Sequence, residues 1–406
     1  FFTGGIRFIL RDLLLSQILS NKENIKTAVI YGAGEAGTQL YASLLLSKSH
    51  NIVAFIDDSP LLWGRSINNI SVKPSKSIDI LKDKIDLILL AIPSLTKERR
   101  SQIIENIQIN NIPILEVPSF EDITSGKSKI NELKPILIEE LLWRKPVDPD
   151  EDLLSKGISG KVIFVTGGGG SIGSEICHQI IKLNPKKLIF LDIHEHSLYK
   201  INEDLKDINK NNINILPILG SATDKVLIRN ILEKENIDII FHAAAYKHVP
   251  IVEKNPISGI LNNIVSTRII CLLAKEIGVK KVMLVSTDKA VRPTSIMGTS
   301  KRLAEIIVQN FSRLSKEYSE NKTSFSIVRF GNVLNSSGSV VPIFRKQIAA
   351  GGPITLTHSE INRYFMTIKE ASQLVIQAAI LSEGGEVFLL HMGKPVKIRK
   401  LAERMV

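Results

Sequence analysis

Two glycine loops, each lying between a short apolar strand and a helix, predict an α/β chain: two Rossmann-like doubly wound parallel-sheet domains in series. TAVIYG (Thr27–Gly32) runs into GAGEAG, where Gly32, Gly34 and Gly37 fit G-x-G-x-x-G. KVIFVT (Lys161–Thr166) runs into GGGGSIG, where Gly167, Gly170 and Gly173 keep a G-x-x-G-x-x-G spacing. After each loop, apolar runs alternate with helical stretches, the rhythm of parallel strands joined by crossover helices.

In chain order, residues 1–24 come first. FFTGGIRFILRDLLLSQIL (Phe1–Leu19) is apolar but broken by Arg7, Arg11 and Asp12, so it cannot span a bilayer that needs about 20 apolar residues. It suits an amphipathic juxtamembrane helix or the first helix of a soluble domain. Residues 25–120 form the first predicted domain. Its helix covers Glu35–Leu46, and NIVAFIDD (Asn51–Asp58) is a second strand ending in Asp57 and Asp58. Those acids follow the glycines at the distance where a ribose is held, about 20 residues. IDLILLAIPS (Ile85–Ser94) and NIPILEVPS (Asn111–Ser119) are later strands. Residues 121–159 break the rhythm and read as a linker, with KPVDPD (Lys145–Asp150) and a loop-like SKGISG (Ser155–Gly160) around a connecting helix at Ile138–Trp143.

Residues 160–406 form the second predicted domain. Gly167, Gly170, Ser171, Ile172 and Gly173 are the expected pyrophosphate cradle, since glycines let backbone amides approach the anion at a helix N-terminus. KLIFLD (Lys187–Asp192) ends in Asp192, a carboxylate suited to ribose hydroxyls and hostile to a 2′-phosphate, so NAD is expected over NADP. IDIIFHAAAYKHVP (Ile237–Pro250) supplies Ala243 and Ala244, small enough for close cofactor approach, then Lys247 and His248 as candidate substrate contacts. Asn263 suits either a bridge near the nicotinamide or a helix cap. KKVMLVSTDK (Lys280–Lys289) brings Thr287, Asp288 and Lys289 to the C-terminal end of a strand, the edge where ligands bind in such sheets. After FSIVRF (Phe325–Phe330) come Asn332, Ser336, Ser337 and Ser339, a stretch dense in hydrogen-bonding groups. Arg329 and Arg363 suit either a diphosphate or an ordinary salt bridge.

The chain carries 52 Lys+Arg against 41 Asp+Glu, a formal charge of +11. The lysines are spread out, with no basic block interleaved with aromatics, so no nucleic-acid partner is expected. Such a surface reads as a solvated lysine-rich one, or more sharply as one that contacts anionic lipid headgroups or a nucleotide-sugar diphosphate. Cys177 and Cys271 lack metal-ligand spacing, and His194 and His196 stand alone, so no metal site is expected and a reducing compartment fits. The start at Phe1 and the stop inside a predicted helix at Val406 suit a piece of a longer protein.

VTGGGGSIGSE, FHAAAYKHVP, VSTDKAVRPTSIMGTSKRLAE, RFGNVLNSSGSVVPIF and GGPITLTHSEINRYFMT occur here in order and span most of residues 160–406. Together they resemble the nucleotide-sugar 4,6-dehydratases of the polysaccharide biosynthesis family, a branch of the extended short-chain dehydrogenases. The nearest likeness is to the large membrane-associated UDP-N-acetylglucosamine 4,6-dehydratases. That resemblance implies an NAD-dependent lyase acting on a UDP-sugar, homo-oligomeric through helices near Met297–Gln309. It also implies a place at the cytoplasmic face of the inner membrane, held there by upstream helices. Short-chain dehydrogenases usually carry Tyr-x-x-x-Lys; here Met297 and Lys301 keep the spacing, as in the large members. A thioether does not titrate, so Met297 is expected to pack and Lys301 to hold the nicotinamide ribose. The resemblance further implies that Lys289 removes the C5 proton, Asp288 protonates the leaving C6 hydroxyl and Thr287 bonds the C4 oxygen. Lys247, His248, Asn332, Ser337 and Arg363 are the expected substrate contacts. A 4-epimerase on the same fold and a nucleotide-sensing module without turnover are the rival readings.

Overall fold

A computed structural model of the chain describes residues 26–47, 49–108, 112–117, 134–135, 147–318, 323–334, 336, 338–356, 358 and 360–405. The juxtamembrane helix expected in 1–24, the connecting helix at Ile138–Trp143 and Ser337 lie outside the described residues. The chain divides into two compact units, residues 1–143 with 401–406 and residues 144–400.

In the first unit the described elements run β1 (Lys26–Tyr31), α1 (Glu35–Ser47), β2 (His50–Ile56), β3 (Ser66–Ile67), β4 (Ile70–Lys73), β5 (Leu87–Leu90), α2 (Lys97–Gln108), β6 (Ile114–Glu116) and β7 (Lys134–Pro135). The sheet order is β3-β4-β2-β1-β5-β6-β7. Strands β4, β2, β1, β5 and β6 are parallel, and the edge strands β3 and β7 run antiparallel. Val29 and Tyr31 face one core layer while Ala28 and Ile30 face the other, as the two-residue strand period requires.

The second unit begins with α3 (Glu151–Ile158), β8 (Val162–Thr166), α4 (Ser171–Ile181), β9 (Lys187–Asp192), α5 (Glu195–Ile208), β10 (Asn214–Leu219), α6 (Lys225–Glu235) and β11 (Ile239–His242). Next come α7 (Val249–Lys254), α8 (Pro256–Ile260), a π-helical turn at Leu261–Val265, α9 (Ser266–Ile277), β12 (Lys281–Thr287), α10 (Ile296–Tyr318) and β13 (Ser324–Phe330). The remainder includes β14 (Asn332–Val333), α11 (Val340–Ala349), β15 (Asn362–Arg363), β16 (Phe365–Met366), α12 (Ile368–Leu381) and β17 (Val387–Leu389). The main sheet, β10-β9-β8-β11-β12-β13-β17, is parallel throughout.

Helices cover both faces of this sheet, which is why its strands read as unbroken apolar runs. Strand β8 sends Ile163 and Val165 to the layer built with α4, α5 and α12, and Val162 and Phe164 to the layer built with α6, α9 and α10. The chain moves outward from β8 to β9 on one side and returns to β11 on the other. That reversal opens a crevice at the C-terminal ends of β8 and β11.

One expectation is overturned. Ser155–Gly160 was expected to be a loop, but α3 continues through Ile158. Asp150 caps it by accepting from the Leu153 amide at 2.9 Å, and Leu154 and Ile158 bury one helical face. Gly157 is no breaker there: a Cβ would stand 2.5 Å from Ile380, so glycine permits close packing of α3 on α12. The segment Pro256–Ile277 is long and apolar enough to cross a membrane by length and composition, yet Ile270, Leu273 and Ala274 within it are core residues of the second unit.

Candidate active site

The glycine loop after β8 is explained position by position. Gly167 has φ +70, and a Cβ would lie 2.7 Å from the Ala244 backbone. A side chain at Gly173 would overlap the Gly167 carbonyl oxygen, so the first turn of α4 can lie against the loop only with glycine there. Gly170 is the residue preceding α4, and Gly170, Ser171 and Ile172 line the cavity at that helix N-terminus. At the end of β9, Asp192 accepts from the amides of Gly169 and His194, both at 2.9 Å. These bonds fix the carboxylate beside the glycine loop and leave lone pairs for ribose hydroxyls. His194 Nδ1 lies 3.3 Å from the Ser197 amide and caps α5, a different role from metal binding. The residues present therefore fit a dinucleotide with free ribose hydroxyls.

Thr287, Asp288 and Lys289 leave β12 through a single 3₁₀ turn. The Thr287 hydroxyl donates to Asp288 Oδ1 at 2.9 Å, and Lys289 Nζ stands 3.4 Å from the same oxygen. The Lys289 ammonium also donates to Asn332 Oδ1 at 3.2 Å. Both members of the Lys289–Asp288 pair are about two-fifths exposed, 41% and 43%. Thr287, Lys289 and Asn332 line a cavity of about 710 Å³ that also takes in Gly170, Ser171 and Ile172. Asp288 lies just behind that lining, its Oδ2 about 3.3 Å from where a Cβ on Gly331 would be.

Met297 and Lys301 sit one turn apart on α10, and both line the cavity. Met297 is 3% exposed and packs. Lys301 donates from Nζ to the Val285 carbonyl at 2.8 Å. Burial pushes its pKa down to about 8, with Glu305 opposing that shift. Lys247 and His248 line the cavity from the loop after β11, with Ala243 at its start. The Lys247 pKa is lowered, first by burial and then by the Lys289 ammonium. Ala244 is placed against Gly167 rather than on the lining. Arg363 is exposed on β15, donates to the Asn362 carbonyl at 3.0 Å, and lies outside the lining.

Sequence reasoning missed the polar support beneath this surface. His242, 1% exposed, has Nδ1 at 2.7 Å from Thr166 Oγ1 and Nε2 at 3.1 Å from Thr267 Oγ1. Thr267 donates to the Asn263 carbonyl, so His242 donates from Nε2 and accepts at Nδ1 from Thr166. Burial, then Lys301, push the His242 pKa down to about 3, which keeps the ring neutral. Asn263, in the π-turn, accepts from the Tyr246 amide at 2.7 Å and donates to the Tyr246 carbonyl and to Ser300 Oγ. It thereby holds the Lys247–His248 loop to α10. Fully buried Glu305 receives Arg329 Nε at 2.7 Å and Ser286 Oγ at 2.7 Å. Arg329 is thus an ion-pair partner beneath the strand ends. The available signal was a His inside the otherwise apolar run IIFH.

The first unit repeats the cofactor-loop geometry without the catalytic set. Asp57, at the end of β2, accepts from the Ala33 and Ser59 amides at 2.8 Å. A Cβ at Gly37 would overlap the Gly32 carbonyl oxygen. Asp58 pairs with Arg99 at 2.9 Å and accepts from the Tyr31 hydroxyl at 2.7 Å.

Comparison with known proteins agrees with this architecture. Residues 24–115 match the family model described as C2185-like, N-terminal. The chain is 40% identical over 410 residues to the capsular polysaccharide biosynthesis protein CapD of Staphylococcus aureus, covering 99% of this chain and 67% of that one. It is 31% identical over 249 residues to the inverting UDP-N-acetylglucosamine 4,6-dehydratase of Campylobacter jejuni, covering 61% of this chain and 71% of that one. A UDP-glucose 4-epimerase of Rickettsia bellii is 33% identical over 233 residues, 56% of this chain and 65% of the relative. Among solved structures, Pen from Bacillus thuringiensis superposes with a TM-score of 0.56 at 33% identity, covering 61% of this chain and 73% of its own. DesIV of Streptomyces venezuelae, a dTDP-glucose 4,6-dehydratase with NAD and TYD bound, has the same fold at a TM-score of 0.52 and 20% identity, covering 59% of this chain and 79% of its own. Residues 163–406 match the model described as polysaccharide biosynthesis protein, and with 40% identity to CapD over nearly its whole length, the chain belongs to that family.

Proposed function

We propose that this protein is an NAD-dependent nucleotide-sugar 4,6-dehydratase that converts UDP-N-acetylglucosamine to a UDP-4-keto-6-deoxy sugar for surface polysaccharide synthesis. The observation that carries the reading is the Thr287–Asp288–Lys289 set at the end of β12, with a buried Met297 in place of a titratable Tyr. Bound NAD supplies the hydride chemistry, accepting from C4 and returning to C6. The chain's residues do the proton work. Thr287 bonds the C4 oxygen. Lys289 takes the C5 proton made acidic by the 4-ketone, and Asp288 gives a proton to the departing C6 hydroxyl. The C4 hydroxyl proton passes to water or to Asp288, since Met297 cannot take it.

Asp192 supports NAD over NADP, as its carboxylate would repel a 2′-phosphate. Resemblance to membrane-associated members supports action at the cytoplasmic face of the membrane and assembly as a homo-oligomer. Similarity to a UDP-glucose 4-epimerase supports the second reading, a 4-epimerase on the same fold. The test is NMR of the reaction with UDP-N-acetylglucosamine in deuterium oxide. A 4-keto-6-deoxy product deuterated at C5 is expected, and its couplings give the C5 configuration. Recovery of the C4 epimer with C6 oxygen retained would replace dehydratase by epimerase.

A further inference from the structure

Three elements of the second unit meet at one carboxylate beside the cavity. Ser286 on β12 and Arg329 on β13 are register partners, each one residue short of its strand's end. Both reach Glu305 on α10, whose side chain is 0% exposed. Glu305 Oε1 accepts from Ser286 Oγ and Arg329 Nε, and Oε2 accepts from Arg329 Nη2 and, at 3.1 Å, from Arg302 Nη1. Burial pushes the Glu305 carboxyl up, but the bonds from Arg329, Ser286 and Arg302 outweigh it and hold the group below its usual range, as a carboxylate. Lys301 lies one helical turn before Glu305, is 5% exposed, and donates to the carbonyl of Val285, the residue before Ser286. Two cations, Lys301 and Arg329, thus share one buried anion. The other groups around Lys301 do not supply that negative charge. His242 on β11 is neutral, Lys247 and Lys289 are further cations on the cavity lining, and Asp288 is paired with Lys289. On α7, Lys254 is exposed and Glu253 accepts the Ile296 amide at 2.6 Å. Neither α8 nor the π-turn carries a charged residue. On α9, Arg268 is exposed, while Lys275 and Glu276 stand at the end remote from Asn263, Glu276 pairing with Arg229.

We propose that Glu305 is a positioning residue for the cofactor site: its carboxylate ties the ends of β12 and β13 to α10 and balances the charge beside Lys301, so that Lys301 meets the cavity as an ammonium able to donate to the cofactor ribose. The need is physical. A poorly solvated amine next to a guanidinium is driven towards its neutral form, and a neutral amine has one fewer proton to donate and no charge to strengthen its bonds. A carboxylate at the same depth reverses the balance. The lock serves position as well, since Ser286 precedes Thr287 and any slip of β12 against α10 would move Thr287 relative to Lys301. This role depends on NAD and not on which sugar the cavity takes.

The test is calorimetric titration of NAD into the full chain from about pH 6 to about pH 10, for wild type, Glu305→Gln, Arg329→Gln, the double variant and Lys301→Met. Burial, opposed by Glu305, sets the Lys301 pKa at about 8, so the ammonium is present below that pH and lost above it. Wild type should hold a level NAD affinity below the break and lose about 10- to 100-fold across it, the value of a hydrogen bond to a charged group. Lys301→Met should bind weakly at every pH with no break. Glu305→Gln leaves the Arg329 guanidinium uncompensated, and its break should move down by about one pH unit or more. Arg329→Gln breaks the same ion pair but leaves the carboxylate to Lys301, so its break should move up. The double variant leaves neither charge and should return most of the way to wild type. Loss of packing alone cannot move the two single variants in opposite directions. An unmoved break in Glu305→Gln, a break in Arg329→Gln that stays or falls, or a break that persists in Lys301→Met would overturn the proposal. Should Glu305→Gln fail to fold, as its thermal transition would show, the direction of the shift in Arg329→Gln decides alone. No arm needs substrate or turnover, so failure of the dehydratase reading would leave the outcome untouched.

Discussion

At the residue scale, two side chains separate chemistry from support. Lys289 reaches Asp288 and Asn332 from the cavity edge, and these hydrogen bonds lie away from the glycine loop. Lys289→Met should therefore lower kcat by about 100-fold or more, the usual weight of a positioned acid–base group, with NAD affinity held within about twofold. An equal loss of NAD binding, measured by quenching of intrinsic fluorescence, would assign Lys289 to the cofactor. His242 is the opposite case, buried and neutral. Its folded pKa of about 3 lies below the ordinary 6.5. Between those values the unfolded chain takes up a proton that the folded chain refuses. Stability tied to the ring is complete above pH 6.5 and is lost as pH falls through that window. Glutamine can keep one donor and one acceptor but does not titrate. The urea midpoint of wild type should fall more between pH 7 and pH 5 than that of His242→Gln; parallel falls would mean that the ring is not held neutral.

At the element scale, β12 carries stability at one end and chemistry at the other. Lys281, its first residue, donates from Nζ to the carbonyls of Ala379, Ile380 and Ser382 and so closes the C-terminus of α12. Six residues on, about 20 Å along an extended strand, Thr287 borders the cavity. Lys281→Met should cost about 1–3 kcal/mol in denaturant unfolding, leaving three carbonyls short of a donor, while KM and kcat stay within about twofold. A kinetic defect larger than the stability loss explains would show that strain at this helix end reaches the site. These elements were legible because their signals are local: apolar runs for buried strands, glycine spacing for the turn, an acid at the next strand end. Residues 155–160 misled because Gly157 reads as a breaker, whereas its purpose is contact with Ile380, more than 200 residues away. The site showed the same division. Thr287–Lys289 and the glycine loop are contiguous motifs, but the His242–Thr166–Thr267 and Glu305–Arg329–Ser286 groups join separate elements, and no linear spacing encodes them. Ser339 was visible only as one polar residue in a polar stretch; that its hydroxyl is unpartnered belongs to the folded chain alone.

At the scale of the whole molecule, the two units form a built-in comparison. Each has a sheet with a parallel centre and a topological reversal, a glycine loop with its third glycine pressed on the carbonyl of its first, and an aspartate holding a loop amide. Sheet topology and loop geometry are thus common to both, and what differs lies at the strand ends. In the second unit β12 leads into Thr287, Asp288 and Lys289; in the first, the strand at the same place in the order, β6, ends at Glu116, which is ion-paired with Arg100. Matched substitutions exploit this. Gly173→Ala and Gly37→Ala each drive a methyl group into a loop carbonyl, and each should cost about 1–3 kcal/mol in the unit that bears it. If chemistry resides in the second unit, Gly173→Ala should lose NAD and turnover together. Gly37→Ala should lower the thermal transition while the NAD content of purified protein and kcat remain near wild type. Loss of turnover in Gly37→Ala with NAD retained in the second unit would instead make the first loop a controlling site. The pair decides between these because the local insult is the same and only its place in the molecule changes.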